Sequence, residues 1–152
     1  HLYEGGIRVP LIVRWPGKVK PGTVSAEPVV LTDFFSTMLE VAGLEPSAGV
    51  PADGESLVPL LRGEGRPQRE ALYFHYPNFA FHKDNRLGSA IRMGDYKLIR
   101  FFDDDSVELY NLKDDLSETK DLAKAQPERA DKMRQRLDGW LKESGAKLPR
   151  PR

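Results

Sequence analysis

SAIRMGDYKLIRFFDDDSVELYN, residues 89 to 111, reads as three short strands joined by two tight turns. Ser89 to Met93, Tyr96 to Phe102 and Val107 to Asn111 are rich in β-branched and aromatic residues. Gly94-Asp95 and Asp103 to Ser106 fit hairpin loops between them. The pattern predicts an antiparallel meander, with Ala71 to Tyr76 a further strand candidate just upstream. Downstream, Pro127 opens a helix that carries Ala130, Met133, Leu137, Trp140 and Leu141 on one face. A helix laid across a small sheet gives that face somewhere to be buried. Residues 71–152 therefore read as α+β, a small antiparallel sheet packed by a C-terminal helix.

Upstream the signals differ. Ile7 to Gly17 is almost continuously apolar and ends on Pro16-Gly17, which predicts a strand covered on both faces, with Pro10 at an edge or bulge. Such a strand needs a sheet to join, and the next candidates lie far downstream. Thr32 and Asp33 can start a helix whose apolar face is Phe34, Phe35, Met38, Leu39, Val41 and Ala42, ended by Gly43. In that reading, capping accounts for Asp33. Residues 44–70 are dense in Pro and Gly, with one helical turn expected at Ser56 to Arg62. The organisation expected is thus 1–70 as the end of one domain plus a connector, and 71–152 as a C-terminal subdomain.

Composition narrows the function classes. The 152 residues carry 23 Lys plus Arg and 23 Asp plus Glu, so no net basic field exists to attract nucleic acid or an anionic membrane. Charge is segregated locally: residues 103–121 are acidic and 122–152 basic, which fits an acidic turn region beside a basic helix. The chain has no cysteine, hence no disulfide, thiol nucleophile or thiolate metal site. No apolar run approaches a membrane span. The sequence opens on His1 rather than Met, so the middle of a longer polypeptide is expected.

Tyr3-Glu4-Gly5-Gly6-Ile7-Arg8-Val9-Pro10 resembles the block that follows the active-site lysine of type I sulfatases, the formylglycine-dependent enzymes that hydrolyse sulfate esters. Trp15-Pro16-Gly17, Leu31-Thr32-Asp33, Asp53-Gly54-Glu55-Ser56-Leu57, Gly94-Asp95-Tyr96-Lys97-Leu98-Ile99 and Glu108-Leu109-Tyr110-Asn111-Leu112 look like successive landmarks in that family's order. Asp114-Asp115, Glu118 and Asp121-Leu122-Ala123 look like its acidic segment before the last helix. The resemblance implies an α/β, alkaline-phosphatase-like parent in which Ile7 to Trp15 joins a large mixed sheet. It further implies a C-terminal, arylsulfatase-like part of a sulfuric ester hydrolase. Formylglycine, calcium and the sulfate-contacting lysine would then lie upstream of His1. The parent would be periplasmic, secreted or lysosomal, and would act on a sulfated small molecule or carbohydrate.

Little of that chemistry can reside in these residues. No Cys is present, and no Ser is followed by Pro two places on and Arg two beyond. Glu4 beside two glycines reads as a turn acceptor, since a lone acid satisfies no acid/base scheme. Asp103-Asp104-Asp105 fails a calcium-loop register, because Glu108 stands where Gly is needed and Asp114 where Glu is needed. Asp114, Asp115 and Glu118 read as acids favouring the N-terminus of the following helix. No catalytic and no metal residues are therefore assigned.

The candidate substrate contacts are His75, His82 and Arg86. They lie in an aromatic-rich loop between strands, where recognition residues tend to sit, and their side chains donate hydrogen bonds suited to sulfate or hydroxyl oxygens. The resemblance implies that such loops help wall the substrate pocket. The expected partner is the upstream half of the same polypeptide. By itself the chain would be inactive, and would either self-associate or leave His1 to Gly43 poorly protected from exchange. The competing reading is a carbohydrate- or protein-binding module that retains the subdomain without hydrolysis, and a third is a generic structural domain.

Overall fold

The structure, a computed structural model, describes residues 1–45, 53–78 and 85–149. Its elements are α1 (Glu4–Ile7), α2 (Asp33–Val41), α3 (Val58–Arg62), β1 (Leu72–Tyr76), β2 (Gly88–Met93), β3 (Tyr96–Phe101), β4 (Val107–Asn111) and α4 (Pro127–Glu143). Two compact units result: one holds His1–Val9 together with Glu70–Arg152, the other Pro10–Arg69. The opening nine residues thus group with the sheet, although the sequence places them with the first seventy. Among the described residues no helix is long and apolar enough to cross a membrane.

In the first unit the four strands lie in the order β1-β2-β3-β4, every pair antiparallel. β1 is part of the sheet, so the predicted three-stranded meander is extended by one. Register sorts the side chains onto two faces. Tyr73, Ile91, Leu98 and Leu109 form one row across the sheet, and Phe74, Ala90 and Ile99 belong to the next row, on the opposite face.

α4 covers the first face. Ile91, Leu98 and Leu109 pack with Ala130, Met133, Leu137 and Leu141, whose 3.6-residue spacing aims them at the sheet. Each buried Leu or Met there contributes about 1.5–3 kcal/mol of hydrophobic stabilisation. Tyr73 stacks on Trp140 with ring centroids 4.8 Å apart, and Arg100 pairs with Asp138 of α4. Asp105, at φ 58 in the β3–β4 turn, pairs with both Arg100 and Arg134. At Leu109 the outer edge of β4 is closed, because its N–H donates to Asp121 and its carbonyl accepts from Leu122.

The second face is covered by the opening residues. Leu2 is buried with Ala90, Ile99, Phe101, Tyr110 and Leu112, and Tyr3 packs alongside. No strand forms over residues 7–15. Apolar composition suggested one there, yet no neighbouring strand among the described residues supplies the ladder bonds, and Val9 and Ile12 stand 79 % and 90 % exposed.

In the Pro10–Arg69 unit, α2 and α3 fall where capping and turn signals place them, but the face of α2 is inverted relative to expectation. Its buried residues are Asp33 and Thr37, while Phe35, Met38 and Val41 are exposed. Thr32 makes no side-chain cap, and Asp33 is not a cap either. Its carboxylate receives the Arg69 guanidinium through both oxygens, together with the N–H groups of Val30 and Glu55. Thr37 Oγ1 accepts from the N–H of Leu57, and Ser36 donates to the carbonyl of Gly54. A Cβ on Gly54 would lie 2.3 Å from the Thr32 carbonyl oxygen, so only glycine lets the two segments approach this closely. The Leu31-Thr32-Asp33 and Asp53-Gly54-Glu55 blocks are therefore two halves of one polar knot.

Candidate functional site

Two cavities open beside the first residues of the chain. The larger, about 460 Å³, lies between His1, Leu2, Gly6, Ile7 and residues 73–76 of β1. The smaller, about 80 Å³, is bounded by His1, Leu2, Tyr3, Arg86 and Phe101. His1 and Leu2 line both, so the opening segment is the partition between them.

Polar ties hold that partition. Tyr3 donates its hydroxyl to Glu108 Oε2 at 2.7 Å, and Tyr110 donates to the same oxygen at 2.9 Å. Burial first, and then the adjacent Glu108 carboxylate, push both phenols well above the ordinary tyrosine value. Glu4 opens the short α1, and Gly6 makes its tight turn feasible, since a Cβ there would lie 2.3 Å from the His1 carbonyl oxygen. The Glu4 carboxylate lies 3.0 Å from Lys97 Nζ, and its backbone N–H donates to Glu118 Oε2 at 2.6 Å. Glu118 Oε1 faces the same ammonium at 2.8 Å, an ion pair outside hydrogen-bond alignment. Lys97 is fully buried.

Glu4, Lys97 and Glu118 are missed by the sequence reading in this role. The Glu4 carbonyl accepts the Arg8 N–H across the glycine turn, but its side chain is an ion-pair partner, and Glu118, at φ 55, turns toward Lys97 instead of serving α4. One signal is present in the sequence. Lys97 alternates in phase with Ile99 and Phe101, which marks it as facing a buried side of the sheet.

The three candidate contacts fare differently. His75 lies on β1, with Nδ1 2.7 Å from Ser89 Oγ and Nε2 3.1 Å from the Lys147 carbonyl oxygen. A carbonyl only accepts, so Nε2 carries the proton, and in the neutral ring Nδ1 accepts from the Ser89 hydroxyl. Arg86 lines the smaller cavity with its guanidinium 3.8 Å over the Phe101 ring, and is paired with Asp103 and Asp104. The Arg86 hydrogen bond holds the Asp103 carboxyl below the usual carboxylate range. His75 and Arg86 are thus brought to the two cavities that meet at His1 and Leu2, each already engaged by the chain's own groups. His82 lies outside the described residues.

Among the described residues the donor set does not fit calcium, and the sequence has no Cys to supply a formylglycine. Among the described residues no group of three or more His, Asp or Glu side chains could hold a metal ion. The carboxylates of Asp103, Asp104 and Asp105 are turned onto Arg86, Arg100 and Arg134.

Known proteins with this fold define its class. A solved structure in complex with its substrate D-glucosamine-2-N,6-O-disulfate superposes with a TM-score of 0.61 and 33% identity, covering 77% of this chain and 24% of that one. A sulfatase from Formosa agariphila is 39% identical over 95% of this chain and 29% of its own length. An N-acetylglucosamine-6-O-sulfatase from Bacteroides thetaiotaomicron is 37% identical over 80% of this chain and 22% of its own. The class is the C-terminal part of a sulfatase. More narrowly, the chain belongs to the family described as N-sulphoglucosamine sulphohydrolase, C-terminal, whose sequence profile matches residues 1–146. It spans less than a third of the length of the two sulfatases.

Proposed function

We propose that this chain is the C-terminal portion of an enzyme that hydrolyses sulfate esters of carbohydrates, where it completes the fold and supplies one wall of the substrate pocket. The observation that carries this reading is the partition formed by His1 and Leu2. Its two cavities reach His75 at one end of the 77–87 connection and Arg86 at the other. His75 is fixed by Ser89 and Lys147, and Arg86 by Asp103 and Asp104, so both ends of the connection are anchored. The proposed substrate contacts are His75, His82 and Arg86, whose side chains are donors suited to sulfate oxygens. A sulfated glucosamine or N-acetylglucosamine is the favoured substrate class, because one relative at 33% identity binds D-glucosamine-2-N,6-O-disulfate as its substrate and another at 37% is an N-acetylglucosamine-6-O-sulfatase.

These residues bind and orient. Nucleophile, calcium and sulfate-contacting lysine belong to the remainder of the polypeptide, and the 152 residues by themselves are inactive. The exposed Val24, Leu31, Phe35 and Met38 are the apolar surface which that remainder covers.

The test is to read the frame that continues upstream of the His1 codon, then assay the long polypeptide and the 152-residue chain for sulfate release from N- and 6-O-sulfated glucosamine. An in-frame Cys/Ser-x-Pro-x-Arg motif and hydrolysis by the long form alone are expected. Absence of that motif, or hydrolysis by the short chain, overturns the reading.

A further inference from the structure

The cluster of Glu4, Lys97 and Glu118 is an unusual way to hold a segment onto a sheet. The surrounding face already offers an apolar seat for Leu2 among Ala90, Ile99 and Phe101. A buried ion cluster adds little net stability over apolar groups of the same shape, because desolvation offsets the attraction. What it adds is position. Lys97 Nζ sits between Glu4 Oε1 at 3.0 Å and Glu118 Oε1 at 2.8 Å, and Glu118 also receives the Glu4 N–H. These contacts fix both backbone and side chain of Glu4. Glu118 reaches them from a left-handed backbone, φ 55, a conformation that residues other than glycine seldom adopt. The cluster holds two carboxylates against one ammonium; Arg8, 3.7 Å from Glu4 Oε2 but half exposed, only partly offsets the excess.

We propose that Lys97 and Glu118 are positioning residues: together they latch Glu4 and so set where the His1–Leu2 partition stands between the two cavities. The latch is separate from the core between sheet and α4, because Lys97 lies on the opposite face from Leu98, Leu109 and Leu137. A shift of the latch changes the width of both cavities at once, since Leu2 borders each. Its bearing on substrate rests on the pocket-wall reading given above, whereas the latch itself does not.

Hydrogen exchange on the 152-residue chain tests this, with Lys97→Met as the principal variant and Glu118→Gln as the milder one. Loss of one buried partner is expected to speed exchange of the amides over residues 4–8 by roughly 100-fold or more in Lys97→Met. Glu118→Gln retains an acceptor for the Glu4 N–H and should show a smaller increase over the same residues. Amides of β2 and β3 should keep their protection in both. Unchanged exchange at residues 4–8 overturns the proposal. So does an equal loss of protection across the whole sheet, which would make Lys97 an ordinary stability residue. No substrate enters this measurement, so absence of sulfatase activity in the long polypeptide would leave its result standing.

Discussion

Replacing Asp33 by asparagine separates the polar knot from simple helix capping. The side chain is fully buried, and each carboxylate oxygen receives two donors: Oδ1 takes the Glu55 N–H and one Arg69 nitrogen, and Oδ2 the Val30 N–H and the other. Whichever way an asparagine amide is turned, its NH₂ group meets two of those donors. Two hydrogen bonds are lost, one from a guanidinium that is itself only 17% exposed, and the abandoned donors stay buried. The expected cost of Asp33→Asn is about 3–5 kcal/mol. Asp33→Ser is the control, because serine caps helices as well as aspartate does and would be neutral within about 0.5 kcal/mol if capping were the role. Urea denaturation followed by circular dichroism, with exchange of α2 and α3 amides, gives both numbers. A loss below about 1 kcal/mol in Asp33→Asn, or a neutral Asp33→Ser, refutes the reasoning. Acid supplies a second readout. Burial pushes the Asp33 carboxyl up, but Arg69 and the N–H groups of Val30 and Glu55 outweigh it, so the folded value lies below 3.8. The contribution is therefore present above pH 3.8 and lost as pH falls through the lower folded value.

Leu137→Ala should cost about 2–5 kcal/mol, because Leu137 is fully buried between α4 and the sheet; a lower urea midpoint at unchanged m-value checks this. Alkaline pH should loosen the opening segment. The Tyr3 and Tyr110 phenols are raised above 10.0 in the folded chain, so their contribution is full below that value and declines as pH rises past it, whereas Tyr3→Phe should flatten the stability profile between pH 9 and 12 on the order of a single phenol's worth. The isolated chain should self-associate with concentration in light scattering, or exchange rapidly over residues 10–31, ahead of α2, since Val24 and Leu31 are exposed. A monomer with uniformly high protection there refutes this.

The strands and α4 were legible because their signals are local. Period-two runs broken by Gly94-Asp95 and Asp103 to Ser106 specify strands and turns, and Met133, Leu137 and Leu141 recur at helical spacing. Periodicity shows that a face is apolar but not what covers it. For that reason α2 was expected to bury Phe35 and Met38, whereas its contacts run through Asp33 and Thr37. Residues 7–15 have the composition of a strand, but strand formation depends on a partner that composition does not reveal. The latch was the least legible part, because Glu4 and Lys97 are 93 positions apart and no local pattern links them. His75 and Arg86 stand out in the sequence by residue type and by lying at or beside the connection between two strands. Their orientation depends on Ser89, Lys147 and Asp103, contacts that single-sequence reading cannot supply.

The unit built from residues 1–9 and 70–152 is discontinuous in sequence, with sixty residues intervening. Translation runs from the N-terminus at about 5–20 residues per second, so Lys97 leaves the ribosome roughly 5–20 s after Glu4, and Glu118 later still. During that interval the carboxylate of Glu4 and the side chain of Leu2 have no seat, and Pro10–Arg69 can fold first. The opening segment is thus synthesised well before the strands it packs on, and its native contacts wait for them.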